Sequence, residues 1–521
     1  MSPASALPRV ARRHDLFRLA VAAALIGVAA LYLVSLGSIP PGPYNDEASI
    51  GYNAWTIAHY GVDQYGNHVP LFFVDFGDYK GPMATYLTVP FVWLFGLTLG
   101  AVRAPSVLAG IALVVVASLL AYRLTRSRGI ALATLVLTAL QPWLFLQSHT
   151  TMEGNVLLML SVMVALWCAA EAIARERSGR WWTLAGVALG VGVLSYVIGR
   201  LLSLLLASAL VATCHRFGRR SMVRLLVPLA VAYAVLLAAA LASSAVLFAR
   251  FQAAGLFSDH PSLLTAAGRF AGNYIAYFNP MFLIVNGDGN ARQTTGVGGV
   301  VLAATLPLMI AGAARVAMRW REPFARFVIL GVVLSSVPAA LTAQAPHALR
   351  GAGLFPFLVV LMIEGLAWVA SLLGTQRVIA ALLTGSVALS ATPYFLDFFT
   401  DYGTRAAAAF EAGENAAIAV AYHDALGHRL YLSTSLGQPA IHLMFAVAAP
   451  PPQETFLAKN RVQVVSDRVE LDTAGAGDVL VLGPADQPPP GSRLLFVLRQ
   501  GVIVRAPAST GVGDQMHVYV V

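Results

Sequence analysis

Apolar runs of about 20 residues recur along this chain, separated by short polar segments. A helix of that length crosses the roughly 30 Å hydrocarbon core of a bilayer. The approximate spans are 16–38, 103–122, 129–148, 154–173, 181–198, 200–214, 225–248, 297–314, 325–343, 351–371 and 378–396, about 11 crossings in all. One further run, 83–100, is shorter, contains Pro90 and is preceded by Gly81-Pro82. It is read as a helix lying in or dipping into the outer interface without crossing.

Arginine placement orients these spans. Cytoplasmic loops collect Arg and Lys. The clusters are Arg9/Arg12/Arg13, Arg123/Arg126/Arg128, Arg175/Arg177/Arg180, Arg216/Arg219/Arg220/Arg224, Arg315/Arg319/Arg321 and Arg377. An even number of crossings must separate neighbouring clusters if all face the cytoplasm. Treating 83–100 as non-crossing satisfies this. The N-terminus is then cytoplasmic, and segments 39–102, 149–153, 249–296 and 344–350 gather on the outer face.

After Asp397 the pattern changes. Residues 397–425 read as a connector and a helix. Short β-like runs follow at 429–434, 462–465, 478–483, 494–498, 502–506 and 517–521, punctuated by Gly and Pro. The expected architecture is mainly α: a polytopic bundle over 1–396 with a small extracytoplasmic α/β domain over 397–521. The first outer loop is 39–102.

Composition agrees with the membrane reading. Of 521 residues, 58% are hydrophobic and 11% charged, against about 25% charged in soluble domains. The net charge of +9 comes from the arginine clusters, so it argues little for nucleic acid. Cys168 and Cys214 sit in or beside apolar runs and suggest neither a disulfide framework nor a cysteine metal site. The first run is longer than a signal-peptide core and is read as an uncleaved anchor.

The segment 40–82 stands out chemically. It carries Asp46, Glu47, Asp63, Asp75 and Asp78 together with Lys80, one of the chain's two lysines. Carboxylates beside a membrane are costly unless paired or wetted. Asp46 and Glu47 are either a general base and its companion or the acidic first turn of a helix, favoured by its dipole. Lys80 is either a point charge for phosphate or a snorkelling interfacial lysine.

Other outer residues add to this. Arg103 starts a span on the outer side, free to bind an anion or to form a structural ion pair with the acidic loop. His149 and Glu153 would share a face if their turn is helical, as a hydrogen-bonded pair or as two ligands of a three-ligand metal site. Asp288, Asn290 and Arg292 cluster among glycines, either as an anion cradle or as a plain turn. His347 and Arg350 occupy a turn where Arg350 opens the next span, facing phosphate oxygens or anchoring the interface. Jointly these place cations and carboxylates on one face, which suits a phosphate-linked lipid held beside a base.

Three elements occur in order: a carboxylate pair in the first outer loop, Lys80-Gly81-Pro82 opening an interfacial helix, and an Arg-x-Pro-Ser-x-Leu-x-Gly span start at Arg103. In these the chain resembles the GT-C membrane glycosyltransferases. It is most similar to the bacterial branch related to protein O-mannosyltransferases and lipid A aminoarabinose transferases, a glycosyltransferase family 39-like group. The similarity covers roughly residues 16–395.

The resemblance implies a sugar taken from a polyprenyl-phosphate carrier and passed to an extracytoplasmic lipid, glycan or protein, with inversion, at the cytoplasmic membrane of a bacterium. It implies catalytic roles for Asp46, Glu47 and Glu153. It also implies donor-phosphate contacts for Lys80, Arg103 and Arg350, and Arg292 joins these as an outer arginine. His149, Asp288, Asn290 and His347 are further site candidates. The chain departs at Tyr79, where the aminoarabinose transferases carry an acid implicated in a metal site, and at Gly81, where Pro is usual. No metal site and no cofactor is therefore expected. The rival classes are a lipid-linked sugar flippase, which predicts mid-span charge and symmetric halves, and a non-catalytic glycan-assembly scaffold. Mid-span charge is sparse, with Glu364 the main exception.

Overall fold

The computed structural model describes residues 7–175, 179–372, 376–507, 510–511 and 513–521. Arg177 of the orienting clusters lies outside them, and for Arg9, Arg12, Arg13 and Arg377 only the backbone is described.

The bundle begins with α1 (Leu7–Leu33), then the outer loop helix α2 (Asn45–Tyr60), the strands β1 (Phe73–Asp75) and β2 (Asp78–Lys80), and α3 (Pro82–Phe95). It continues with α4 (Leu99–Thr125), α5 (Arg128–Ala139), α6 (Pro142–Ser148), α7 (Asn155–Ala174), α8 (Gly179–Ser195), α9 (Val197–Cys214) and α10 (Arg219–Ala242). Two shorter helices, α11 (Ala245–Ala254) and α12 (Leu263–Ala276), precede α13 (Leu306–Met318), α14 (Pro323–Ser335), α15 (Val337–Ala340), α16 (Phe355–Leu372) and α17 (Gln376–Asp397).

Every expected span contains helix, and 297–314 is helical only from Ala303. Among the described residues 8 helices are long and apolar enough to cross a membrane, or 9 if α5 and α6, bent by 58°, form one broken span. Pro142 at the start of α6 accounts for the break, because its ring cannot continue α5. Helix α8 has 17 residues and α13 has 13, which is why the count falls below the expected 11 or so.

Helix α3 is 14 residues long, about 21 Å at 1.5 Å per residue, too short to cross alone. Its far end exposes Trp93, Leu94 and Phe95, a surface suited to lipid. Gly81 answers its departure from the expected Pro. A Cβ there would stand 2.4 Å from the Leu194 carbonyl oxygen, so only glycine lets the loop pass α8.

The C-terminal region holds six strands: β3 (Leu430–Ser433), β4 (Val462–Val465), β5 (Val479–Leu482), β6 (Arg493–Arg499), β7 (Val502–Arg505) and β8 (Asp514–Val520). All six expected runs form strands. The sheet order is β4-β3-β5-β8-β6-β7, parallel on both sides of β3 and antiparallel beyond. Its core is continuous with the outer loop: Ala48 and Tyr52 of α2 and Val102 of α4 share one apolar cluster with Leu432, Phe445 and Val481. Phe398, Tyr402 and Phe410 remain in the bundle's own core, so the chain leaves the bundle only after residue 410.

Candidate active site

Helix α2 positions the acidic pair. Tyr44 has extended backbone, and Glu47 Oε2 reaches back to accept its N–H at 3.2 Å, so the helix starts cleanly at Asn45. Asp46 and Glu47 fall in the positive first turn. Being adjacent, they point in different directions and meet different partners.

Glu47 faces inward. Its carboxylate takes two bonds from Arg103, Nε to Oε1 at 2.6 Å and Nη2 to Oε2 at 2.8 Å, and one from the Thr151 N–H at 3.2 Å. Arg103 Nη1 reaches the carbonyls of Pro40 at 2.6 Å and Leu36 at 3.2 Å. Both side chains are 0% exposed. Of the two alternatives for Arg103, the structural ion pair with the acidic loop is the one formed, and its bonds fasten the first loop to α4.

Asp46 faces outward and is ion-paired to Lys80. The hairpin of β1 and β2 builds this contact. Phe76 and Gly77 both take positive φ in its two-residue turn, at 51° and 77°. The register pairs Phe73 with Lys80 and Asp75 with Asp78. Asp75 and Lys80 therefore lie diagonally on one face and form a second ion pair. Burial alone would lower the Lys80 ammonium, but Asp46 and Asp75 outweigh it and hold its pKa well above the usual value. One ammonium cannot neutralise two carboxylates equally. Asp75, fully buried, is pushed up to about 6 by burial, with Lys80 opposing and Asp46 adding to the rise.

Glu153 and His149 do not share a helical face, which corrects that expectation. The α6 helix ends at Ser148, and Glu153 sits in a turn at φ 53°. His149 is fully buried against Tyr32, Phe145 and Phe398, with Nδ1 2.9 Å from the Phe145 carbonyl. Glu153 instead pairs with Arg250 at 3.2 Å, and burial raises its pKa against that arginine. Arg250 also reaches Asp78 at 3.4 Å.

The 288–292 loop builds a second wall. Asp288 accepts the Asn290 N–H at 2.8 Å and the Ala348 N–H at 2.7 Å, and Asn290 Oδ1 accepts the Arg292 N–H at 3.0 Å. These residues fix the turn before Arg350. Arg292 stacks 4.1 Å over the Tyr44 ring, and its Nη1 donates to the Ala409 carbonyl at 3.4 Å. His347 Nδ1 stands 3.9 Å from Asp288 Oδ2. Burial first, then Arg350, Arg292 and Arg250, lower its pKa to about 3.

Arg350 is 8% exposed, and its Nη1 has no hydrogen-bond partner. It lines a cleft together with Arg250 and Tyr196. Through Val197, Leu201, Leu247 and Phe251 this cleft continues into a larger apolar groove between α9, α10 and α11. Asp46, Lys80, Glu153 and Arg250 are close enough to act on one another's charge.

Known proteins share this arrangement of helices. The structures of ArnT from Cupriavidus metallidurans, bound to undecaprenyl phosphate and in the apo state, superpose with TM-scores of 0.57 and 0.59 at 16% and 15% identity. The bound form covers 97% of this chain and 98% of that one, and the apo form covers 98% of each. The chain has the GT-C fold.

Residues 79–248 match the family described as dolichyl-phosphate-mannose-protein mannosyltransferase. This agrees with the GT-C resemblance to the mannosyltransferase and aminoarabinose transferase branches. An oligosaccharyltransferase from Archaeoglobus fulgidus, tethered to an acceptor peptide, shares the fold with a TM-score of 0.50 at 13% identity, over 95% of this chain and 75% of that one. No curated protein matches the chain in sequence.

Within this GT-C fold, sequence reasoning missed Asp75, Asp78 and Arg250 as site residues. Arg250 breaks the same arginine pattern that singled out Arg103, since it follows the outer end of span 225–248. Asp75 and Asp78 lie in the acidic loop, but only the hairpin register shows which of its carboxylates face Lys80.

Proposed function

We propose that this protein is an integral membrane glycosyltransferase that moves a sugar from a polyprenyl-phosphate donor to an extracytoplasmic acceptor. The observation that carries this reading is the pairing of Arg250 and an unpartnered Arg350 in one cleft, at the end of an apolar groove and within reach of the Asp46–Lys80 pair. An isoprenoid tail suits the groove, and a phosphate suits two guanidiniums. ArnT, of the same fold, binds undecaprenyl phosphate.

Asp46 takes the proton of the acceptor hydroxyl or amine. The acceptor's lone pair attacks C1 of the sugar, and the C1–O bond to phosphate breaks with inversion. The leaving phosphate gains charge, which Arg250 and Arg350 stabilise. Lys80 has three N–H donors and gives one to Asp46, with Asp75 as a second ion-pair partner, so a donor is left for a phosphate oxygen. Glu153 holds Arg250 in place. On the arginine pattern, the site and the C-terminal domain face the extracytoplasmic side.

Glu364 disfavours the flippase reading. It pairs with Arg315 and Arg319, each at 3.2 Å, both members of one arginine cluster, so it is neutralised in place. Transfer of sugar from a purified polyprenyl-phosphate donor to envelope acceptors tests the proposal. Turnover by the parent and its loss in Asp46→Asn are expected. Donor translocation without transfer would overturn it.

A further inference from the structure

Asn45, the first residue of α2, also touches the C-terminal region. Its backbone N–H donates to Glu411 Oε2 and its Nδ2 to Glu411 Oε1, both at 2.9 Å. His442 Nε2 lies 3.0 Å from the same Oε2. Glu414 completes the group: one ligand-type atom each from Glu411, Glu414 and His442 lies within 4.8 Å of the other two.

This cluster is buried and under-satisfied. His442 is 0% exposed, Glu414 5% and Asn45 8%. Yet His442 Nδ1, Glu414 Oε2 and Asn45 Oδ1 have no hydrogen-bond partner among the described residues. Buried polar atoms are nearly always paired, because leaving one unpaired costs about 1–3 kcal/mol. Among the described residues no Lys or Arg pairs with Glu411 or Glu414. Glu411 also adopts a φ of 54°, unfavourable for a residue with a Cβ, so the fold holds its carboxylate in this place at a cost.

We propose that Glu411, Glu414 and His442 bind one divalent transition-metal ion of the Zn²⁺ class, with Asn45 holding the Glu411 carboxylate beside it. Two carboxylates balance a double positive charge, and one imidazole with oxygen donors suits Zn²⁺ better than Mg²⁺, which keeps waters and carboxylates. The ion ties the C-terminal domain to the residue before Asp46 and so sets where α2 begins. Glu411 and His442 are 31 positions apart, with Glu414 between them, but Asn45 lies 366 positions before Glu411, so the sequence does not show that the cluster meets α2. The expectation of no metal rested on Tyr79, a different position.

The test uses full-length protein in detergent, stripped with a chelator and then titrated with Zn²⁺ or Mg²⁺. Bound metal is counted by elemental mass spectrometry and unfolding is followed by heating. One Zn²⁺ per chain and a raised melting temperature are expected, with Mg²⁺ binding far more weakly. Glu414→Gln and His442→Ala should each weaken Zn²⁺ binding at least about tenfold, while His428→Ala, in the same domain, should not. No uptake of Zn²⁺ by the parent, or equal uptake by Glu414→Gln, would overturn the site. Should a variant not fold, X-ray absorption of the loaded parent decides: one imidazole among oxygens supports the assignment, and sulfur or several imidazoles refute it.

Discussion

Asp46 and Glu47 are neighbours in one helical turn, yet they belong to two unlike ion-pair systems. Glu47 and Arg103 form a closed pair, fully buried, with both carboxylate oxygens and most of the guanidinium donors satisfied inside the protein. Asp46 shares Lys80 with Asp75, is 16% exposed and neighbours an arginine-lined cleft. A pair with every bond spent inward can only hold structure. A group with one cation for two carboxylates and an opening to solvent can exchange partners and protons. The catalytic part proposed for Asp46 thus falls to the less completely bonded of the two.

The sharpest way to break this comparison is to neutralise each acid in turn. Asp46→Asn keeps shape and removes charge. It should lower single-turnover sugar transfer by about 10²–10⁴-fold, as loss of a positioned base does, with melting temperature near that of the parent. Near-parental turnover would move the base elsewhere, to Glu153 first. Glu47→Gln should act on stability instead. Leaving Arg103 charged and unpaired costs about 3–5 kcal/mol, so expression and melting temperature should fall, and folded protein should retain per-molecule activity. A stable Glu47→Gln protein without activity would reverse the roles assigned to the two acids.

A smaller effect is expected at the cleft. Arg350→Ala removes the guanidinium whose Nη1 is unpartnered, and Arg250→Ala removes its companion. Each charge-assisted bond to phosphate contributes about 1.5–3 kcal/mol, so donor affinity should fall by roughly 10–100-fold. Arg350→Ala should leave folding intact, because no internal bond to that nitrogen is lost. Arg250→Ala should also loosen Glu153 and Asp78. Binding of a polyprenyl-phosphate analogue measures both, and unchanged affinity in both would remove them from the donor site.

Much of this was legible in the sequence for a physical reason. Hydropathy and arginine placement act over whole segments, so the helices, the short α3 and the six strands could be read from composition along the chain. Asp46, Lys80 and Arg350 stood out as isolated charges at apolar boundaries. What could not be read were pairings between distant segments. Arg103 looked like an anion ligand because nothing in the sequence shows that Glu47 is aimed at it. His149 and Glu153 would share a face only if the turn between them were helical, and α6 ends before it. Asp75 gained its place from a hairpin register, and Glu411, Glu414 and His442 meet Asn45 only because the C-terminal domain folds back on α2.

The smallest predicted effect concerns pH and the wall that carries Arg350. His347 is buried beside Asp288, with Arg350, Arg292 and Arg250 near enough to repel a proton, and its pKa is lowered to about 3. In the unfolded chain it would titrate at its ordinary value of about 6.5. The folded state therefore binds this proton less readily than the unfolded state. Its contribution to stability is complete above pH 6.5 and is lost as pH falls from there toward 3. At pH 5.5 the loss should be on the order of 1 kcal/mol. Carboxylates contribute their own slope at lower pH, so the comparison is with His347→Gln, which cannot take up the proton. Between pH 7 and pH 5.5 the parent's melting temperature should fall further than the variant's. Equal slopes would mean that the imidazole is protonated in the folded protein, paired with Asp288, and that this wall of the cleft carries one more positive charge than the geometry assigns.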